Sequence, residues 1–365
     1  MKPLILHSFH QQRGAVFQEL DGSEIVSAYG SPEDEYRALG ETVGLLDLSF
    51  RGRLCLTGQD RKRFLNGQVT NDVGRLTVGK GCYAALVTAK GKLVSDLNVY
   101  CLENEMLLEF EPGLVDRVTE RFESFIIADD VQVVDVTEAY GLISLQGPSA
   151  EQAVRAMGLE MEIPEKPLEF VRRMHEAMGE VYLMNHARTS RAGFDLFAPA
   201  AALEELLEKG ARAVESVKGR LCGWQALDIL RVEAGIPRFG VDMDESHLAP
   251  EAGLEKRAIS YAKGCYTGQE VIARIRTYGQ LSKALRGLER IGPAGAPPKR
   301  GDKLYMGDRE VGNVTSAVES PTAGTTVALG YVRREFNAPG TELELETGGG
   351  RCAMRIVELP ISARA

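Results

Sequence analysis

Clustered metal ligands are missing from this sequence. Its six cysteines (Cys55, Cys82, Cys101, Cys222, Cys265 and Cys352) contain no CxxC pair, and none of its five histidines stands at HxH or i,i+4 spacing from another. A dedicated zinc site needs such spacing, so no metal site is expected. Long apolar runs are missing too, and nothing approaches the roughly 18 residues of a membrane span. The N-terminal stretch MKPLILHSFHQQRG has only a short apolar run and no small-residue cleavage site, so it does not read as an export signal. Scattered cysteines in such a chain are expected to be reduced thiols in the cytoplasm. Basic charge is in deficit, with 43 Lys and Arg against 52 Asp and Glu and a net charge of -9. This argues against general nucleic-acid binding, which draws on surplus cations, while leaving room for a local basic groove. No GxGxxG turn, GxxxxGK[ST] loop or GxSxG elbow occurs. Rossmann, P-loop and α/β-hydrolase readings therefore have no footing.

What is present is an ordinary globular composition, 44% hydrophobic over 365 residues, enough for two or three domains. GCYAALVTAKGKLVSDLNVYCL reads as two strands around the AKGK turn at 89–92, followed by a second turn at Glu103–Glu105. LVDRVTERFESFII places Val115, Val118, Phe122, Phe125 and Ile126 on one helical face. Strands YGLISLQG, EVYLMNHA and FDLFAP follow, interleaved with helices PSAEQAVRAMG, AALEELLEKG and GWQALDILRVEAG. IGPAGAPPKRGD, rich in Pro and Gly, reads as a linker, and only strand-like runs lie beyond it. The expected architecture is α+β: a body over 1–288, a linker over 289–302 and a β-barrel over 303–365.

Four side chains stand out. Cys265 lies in KGCYTGQE, where Lys263 is a nearby cation that would raise the thiolate fraction, and where Gly264 and Gly268 allow unusual backbone angles. The competing reading is a small residue in a turn pocket, with Tyr266 as the buried anchor. Asp96 interrupts an apolar strand (Leu93, Val94, Leu97, Val99), and Tyr83 on the preceding strand is placed to share a pocket with it. A carboxylate there acts as a base or charge stabiliser, or else faces solvent on an edge strand. Glu233 occupies the last turn of its helix, where the dipole disfavours an anion. It reads as a ligand contact, as a partner of Arg231 or Arg238, or as a solvated position.

Together these segments resemble one superfamily along nearly the whole chain. GLLDLSFRGRLCLTGQDRKRFLNGQVTNDV, YAALVTAKGKLVSDLNVY, LQGP, ALDILRVEAGIPRFGVDMDE and VGNVTSAVESPTAGTTVALGYV resemble the glycine-cleavage T-protein, the tetrahydrofolate-dependent aminomethyltransferase. KGCYTGQEVIAR is similar to the signature of its YgfZ-type relatives, folate-binding proteins implicated in making or maintaining iron–sulfur clusters. The resemblance implies a three-lobed, doughnut-like body with a C-terminal β-barrel, binding tetrahydrofolate or a one-carbon derivative. It puts Asp96 on the catalytic aspartate, Tyr83 on a folate-contacting tyrosine and Glu233 on the acid that reads the pterin. The signature loop comprises Lys263, Gly264, Cys265, Tyr266, Gly268, Gln269, Glu270 and Arg274. One departure is plain: RTSRAGFDL (188–196) is shorter than the transferase's Gly-Tyr-Thr-Gly-Glu turn and lacks its Tyr and Glu.

The function this resemblance implies is a tetrahydrofolate-binding factor for iron–sulfur assembly or repair. Cys265 would be its functional thiol, and iron–sulfur assembly or client proteins its partners. The alternative is a tetrahydrofolate-dependent aminomethyltransferase using Asp96. A role in tRNA modification is the weakest of the three, given the acidic charge and the lack of a GTPase segment.

Overall fold

The computed structural model describes residues 1–279, 281–292 and 295–361. Pro293 and Ala294 of the expected linker, and 362–365 at the end of the expected barrel segment, lie outside the described residues. The chain divides into two compact units. The first comprises Met1–Leu86, Ser95–Leu227 and Ala262–Tyr266; the second comprises Val87–Val94, Asp228–Tyr261 and Thr267–Ala365.

The first unit is built on two sheets. One has five strands in the order Lys80–Val87, Leu93–Cys101, Met106–Phe110, Gly52–Thr57, Gln132–Asp135. The expected hairpin is therefore present, and the tip residues Val87–Val94 group with the second unit. The helix Val115–Glu123 is shorter than its apolar pattern predicts. It buries Val118 and Phe122, and the chain leaves the helix before Phe125, which is exposed. Each buried side chain of this size contributes about 1.5–3 kcal/mol relative to exposure.

The other sheet has six strands in the order Phe170–His175, Gly179–Asn185, Gly193–Pro199, Tyr140–Gln146, Gly44–Asp47, Arg220–Leu221. Helices Ala150–Ala156 and Leu203–Ser216 cover it. Their Ala153, Val154, Leu206, Leu207 and Val214 share a core with Leu45, Ile143, Leu145, Leu183 and Leu196 of the strands. The central strands Tyr140–Gln146 and Gly193–Pro199 are buried on both faces, so they lack the in–out alternation of a half-exposed strand.

The second unit contains a closed six-stranded barrel, in the order Lys283–Ile291, Thr325–Arg333, Arg309–Ser320, Lys303–Met306, Glu342–Thr347, Gly350–Val357. Its interior holds Leu288, Leu304, Val314, Ala328, Leu345, Met354 and Ile356. The expected boundary at 289 falls inside the first of these strands. The Pro/Gly stretch is thus a connection between two barrel strands rather than a link into the barrel. Among the described residues, no helix is long and apolar enough to cross a membrane.

Candidate functional site

The hairpin brings Tyr83 and Asp96 together. Tyr83 Oη donates to Asp96 Oδ2 at 2.8 Å, with both residues half-buried. The other carboxylate oxygen, Oδ1, is buried and has no hydrogen-bond partner among the described residues. Burial pushes the Asp96 carboxyl up, and the negative charge of Glu111 adds to this. The Tyr83 bond and the Arg51 guanidinium oppose it, leaving the pKa at about 6. A buried acceptor without a donor is costly, commonly by about 1–3 kcal/mol, so Oδ1 is suited to a donor brought by a ligand.

Behind this pair lies a buried ionic network that the sequence did not reveal. Arg51, on the turn before strand Gly52–Thr57, pairs through Nε with Glu109 and through Nη1 with Glu111. Glu109 also accepts from Asn98 Nδ2 at 2.6 Å and from Arg188 Nη2 at 3.2 Å. Arg188 Nη2 continues to Asp195 Oδ2 at 2.7 Å, and His186 Nδ1 meets the same oxygen at 2.8 Å. Ser144 Oγ donates to Asp195 Oδ1 at 2.7 Å. Burial works against ionisation of Glu109, yet Arg188 and Arg51 hold its carboxyl at about 2. The stretch 188–196 thus supplies a buried Arg–Asp pair. The signal available in advance was charge inside apolar strands, such as Glu109 between Leu108 and Phe110.

Glu233 belongs to the second unit and ends the helix Trp224–Glu233. It is buried, and its Oε1 accepts from Ser320 Oγ of the barrel strand Arg309–Ser320 at 2.5 Å. Ile361 N donates to its backbone carbonyl at 2.6 Å. Close by in sequence, Asp242 collects the Arg231 guanidinium and the hydroxyls of Thr315 and Ser316, which fastens the 235–254 loop to the barrel.

The signature loop divides between the two units. In the first, Lys263 is buried, and its Nζ donates to the carbonyls of Asn66, Val69 and Asn71 at 2.6, 2.8 and 2.7 Å. Cys265 is exposed. The expectation that Lys263 activates this thiol therefore meets a different geometry, because the ammonium is committed to backbone carbonyls. Its charge acts instead on Cys82, whose pKa burial nonetheless lifts to about 12. Tyr266 is buried and serves as the anchor of the loop. In the second unit, Gly268 has φ +82°, and a Cβ there would stand 2.5 Å from the Thr88 carbonyl oxygen, so only glycine fits. Gly264 has no such constraint, since a Cβ would meet nothing within 4 Å. Gln269 opens the helix Gln269–Tyr278, so Gln269, Glu270 and Arg274 of the expected signature loop are helical. Glu270 and Arg274 form an exposed pair at 2.8 Å on it. Among the described residues, no group of three or more His, Cys, Asp or Glu is arranged to hold a metal ion.

Comparison with known proteins agrees with this architecture. Residues 6–263 match the GCVT N-terminal domain, and residues 283–362 match the glycine cleavage T-protein C-terminal barrel domain. An aminomethyltransferase of Corynebacterium jeikeium is 30% identical, over 100% of this chain and 99% of that protein. One from Shouchella clausii is 28% identical, over 98% and 97%. The crystal structure of the glycine cleavage system aminomethyltransferase T from Bartonella henselae shares the fold. Its TM-score is 0.89 at 23% identity, covering 99% of this chain and 98% of that one. The two family matches together span both units, and the chain belongs to the glycine-cleavage T-protein family.

Proposed function

We propose that this chain is a tetrahydrofolate-dependent one-carbon transferase of the aminomethyltransferase type, with Asp96 as its acid–base group. The observation that carries this reading is the buried, unpartnered Oδ1 of Asp96 beside a pKa of about 6. Tetrahydrofolate, when bound, supplies the two nitrogens that take up the methylene carbon of an aminomethyl thioether, with thiol and ammonia as the other products. Asp96 accepts a hydrogen bond at Oδ1 from an N–H of the bound molecules and holds or releases a proton there near neutral pH. Tyr83 fixes the carboxylate plane through Oδ2. The relatives' shared name, aminomethyltransferase, supports this reading over an iron–sulfur role.

The test is anaerobic calorimetry with tetrahydrofolate, alongside methylene-tetrahydrofolate formation from an aminomethylated lipoyl carrier. Asp96→Asn is expected to retain binding and to lower turnover about 10²–10⁴-fold, the usual span for loss of a general acid or base. Full turnover by Asp96→Asn, or no binding by the wild type, sinks the proposal. Glu233→Ala tests separately whether that residue reads the pterin, and its expected outcome is loss of binding.

One observation favours a second reading: of the six cysteines, all among the described residues, only Cys265 is exposed, which makes its thiol accessible to an iron–sulfur client or assembly partner. A Cys265→Ala protein that restores iron–sulfur enzyme activity in a deletion strain as well as wild type removes that reading.

A further inference from the structure

Lys263 is a buried lysine in the loop singled out by sequence, and activation of Cys265 does not account for it. All three of its ammonium protons are used, on Asn66, Val69 and Asn71 carbonyls. Asn66 lies in the last turn of helix Arg61–Gln68, and Val69 caps it. Carbonyls at a helix C-terminus lack intrahelical donors and carry partial negative charge, so a cation there is well placed. Burial still disfavours the ammonium and lowers its pKa to about 8, against the charge of Asp72, which raises it, and of Cys82, which does the same. An aliphatic residue would fill the space without that cost, which points to the three hydrogen bonds as the reason for lysine.

The turn that Lys263 holds is itself fastened to the strand carrying Tyr83. Asn71 Nδ2 donates to the Tyr83 carbonyl at 2.8 Å. Its neighbour Thr70 clasps Ala85 twice, N–H to the Ala85 carbonyl at 3.0 Å and Oγ1 accepting from Ala85 N at 2.9 Å. Tyr83 then reaches Asp96 at 2.8 Å. We infer that Lys263 is a positioning residue for Asp96, acting through Asn71 and Tyr83. This rests on the role proposed above for Asp96. In this arrangement the ammonium sets the carbonyl of residue 71, residue 71 sets the backbone of Tyr83, and the phenol sets the carboxylate. A lysine at the last residue of the family's N-terminal match thereby governs a hairpin far from it in sequence.

The experiment compares wild type, Lys263→Met and Asn71→Ala for melting temperature, kcat, tetrahydrofolate KM and Asp96 titration, the last followed by carbon-13 NMR of labelled aspartate. Both variants are expected to lose at least about tenfold in kcat with KM changed less than about threefold, as for misplacement of a reacting group. The Asp96 titration is expected to move by about half a pH unit or more, the response of a carboxyl whose hydrogen bond has been disturbed. A lower melting temperature with kcat of the folded protein and the Asp96 titration both unchanged overturns the inference and leaves Lys263 a plain clamp. Should Lys263→Met fail to fold, Asn71→Ala carries the same expectations one link further along. If wild type makes no methylene-tetrahydrofolate, it is the reading of Asp96 as acid–base group that fails. The NMR titration then still decides whether Lys263 governs the carboxylate.

Discussion

Asp96 and Asp195 are aspartates on strands of the same unit, and they are treated in opposite ways. Burial raises both carboxyls. At Asp195, Arg188 and His186 overcome it and hold the group well below the usual carboxylate range, and Ser144 completes the other oxygen. At Asp96, Tyr83 and Arg51 work against burial and Glu111 without overcoming them, and one side-chain oxygen is left without a donor among the described residues. Both stand on sheet strands, Asp195 fully buried and Asp96 half-buried, and their partners differ. A carboxylate whose every lone pair is served is part of the framework. One whose set is incomplete is where an incoming molecule has something to supply.

The comparison is broken most severely by removing the satisfied partner. Asp195→Asn leaves Arg188 and His186 facing a neutral amide and is expected to destabilise the first unit by about 3–5 kcal/mol, as measured by denaturant unfolding. Asp96→Asn, by contrast, should leave stability unchanged or improved, since it removes a buried charge without a counter-ion in contact. Tyr83→Phe sharpens the contrast at the active position. Losing a hydrogen bond to a charged group is worth about 1.5–3 kcal/mol, so turnover should fall about tenfold or more. Because the Tyr83 bond lowers the Asp96 pKa, the inflection in kcat/KM near pH 6 should also move upward. The smallest effect is in the pH dependence of stability. Glu109, lowered to about 2 from 4.5, contributes stability that is complete above its unfolded value and is lost as pH falls toward 2. Asp96, raised to about 6 from 3.8, has the opposite slope, and stability declines as pH rises between those values. Urea midpoints from pH 2 to 7 for wild type and Asp96→Asn separate the two, since only the second decline should vanish in the variant.

Much of the fold was legible because its signals are local. The AKGK hairpin, the apolar runs of the six-stranded sheet and the later barrel strands all announce themselves through alternation or turn residues. The first barrel strand did not. KALRGLERI carries Arg286, Glu289 and Arg290 among its apolar residues and precedes a Pro/Gly stretch, so it read as the end of the body. The Tyr83–Asp96 pair was within reach, since a hairpin with a known turn fixes which residues face one another. The ionic network was not, because Arg51 meets Glu109 and Glu111 across 58 and 60 residues of chain, and only the packed sheet brings them together. Lys263 shows the limit most clearly. Its proximity to Cys265 in sequence suggested an activated thiol, whereas its side chain runs inward to carbonyls nearly two hundred residues earlier.

The barrel's closure sets an order of events during synthesis. Strand Lys283–Ile291 pairs on one side with Thr325–Arg333 and on the other with Gly350–Val357, the last strand of the cylinder. While a ribosome is still making residues 350–357, the seam between first and last strands stands open, with unpaired N–H and C=O groups along an edge of the kind that recruits other strands. The second unit is thus sealed only when its final strand emerges, and a ribosome stalled before Gly350 would hold a sheet where the finished protein has a cylinder.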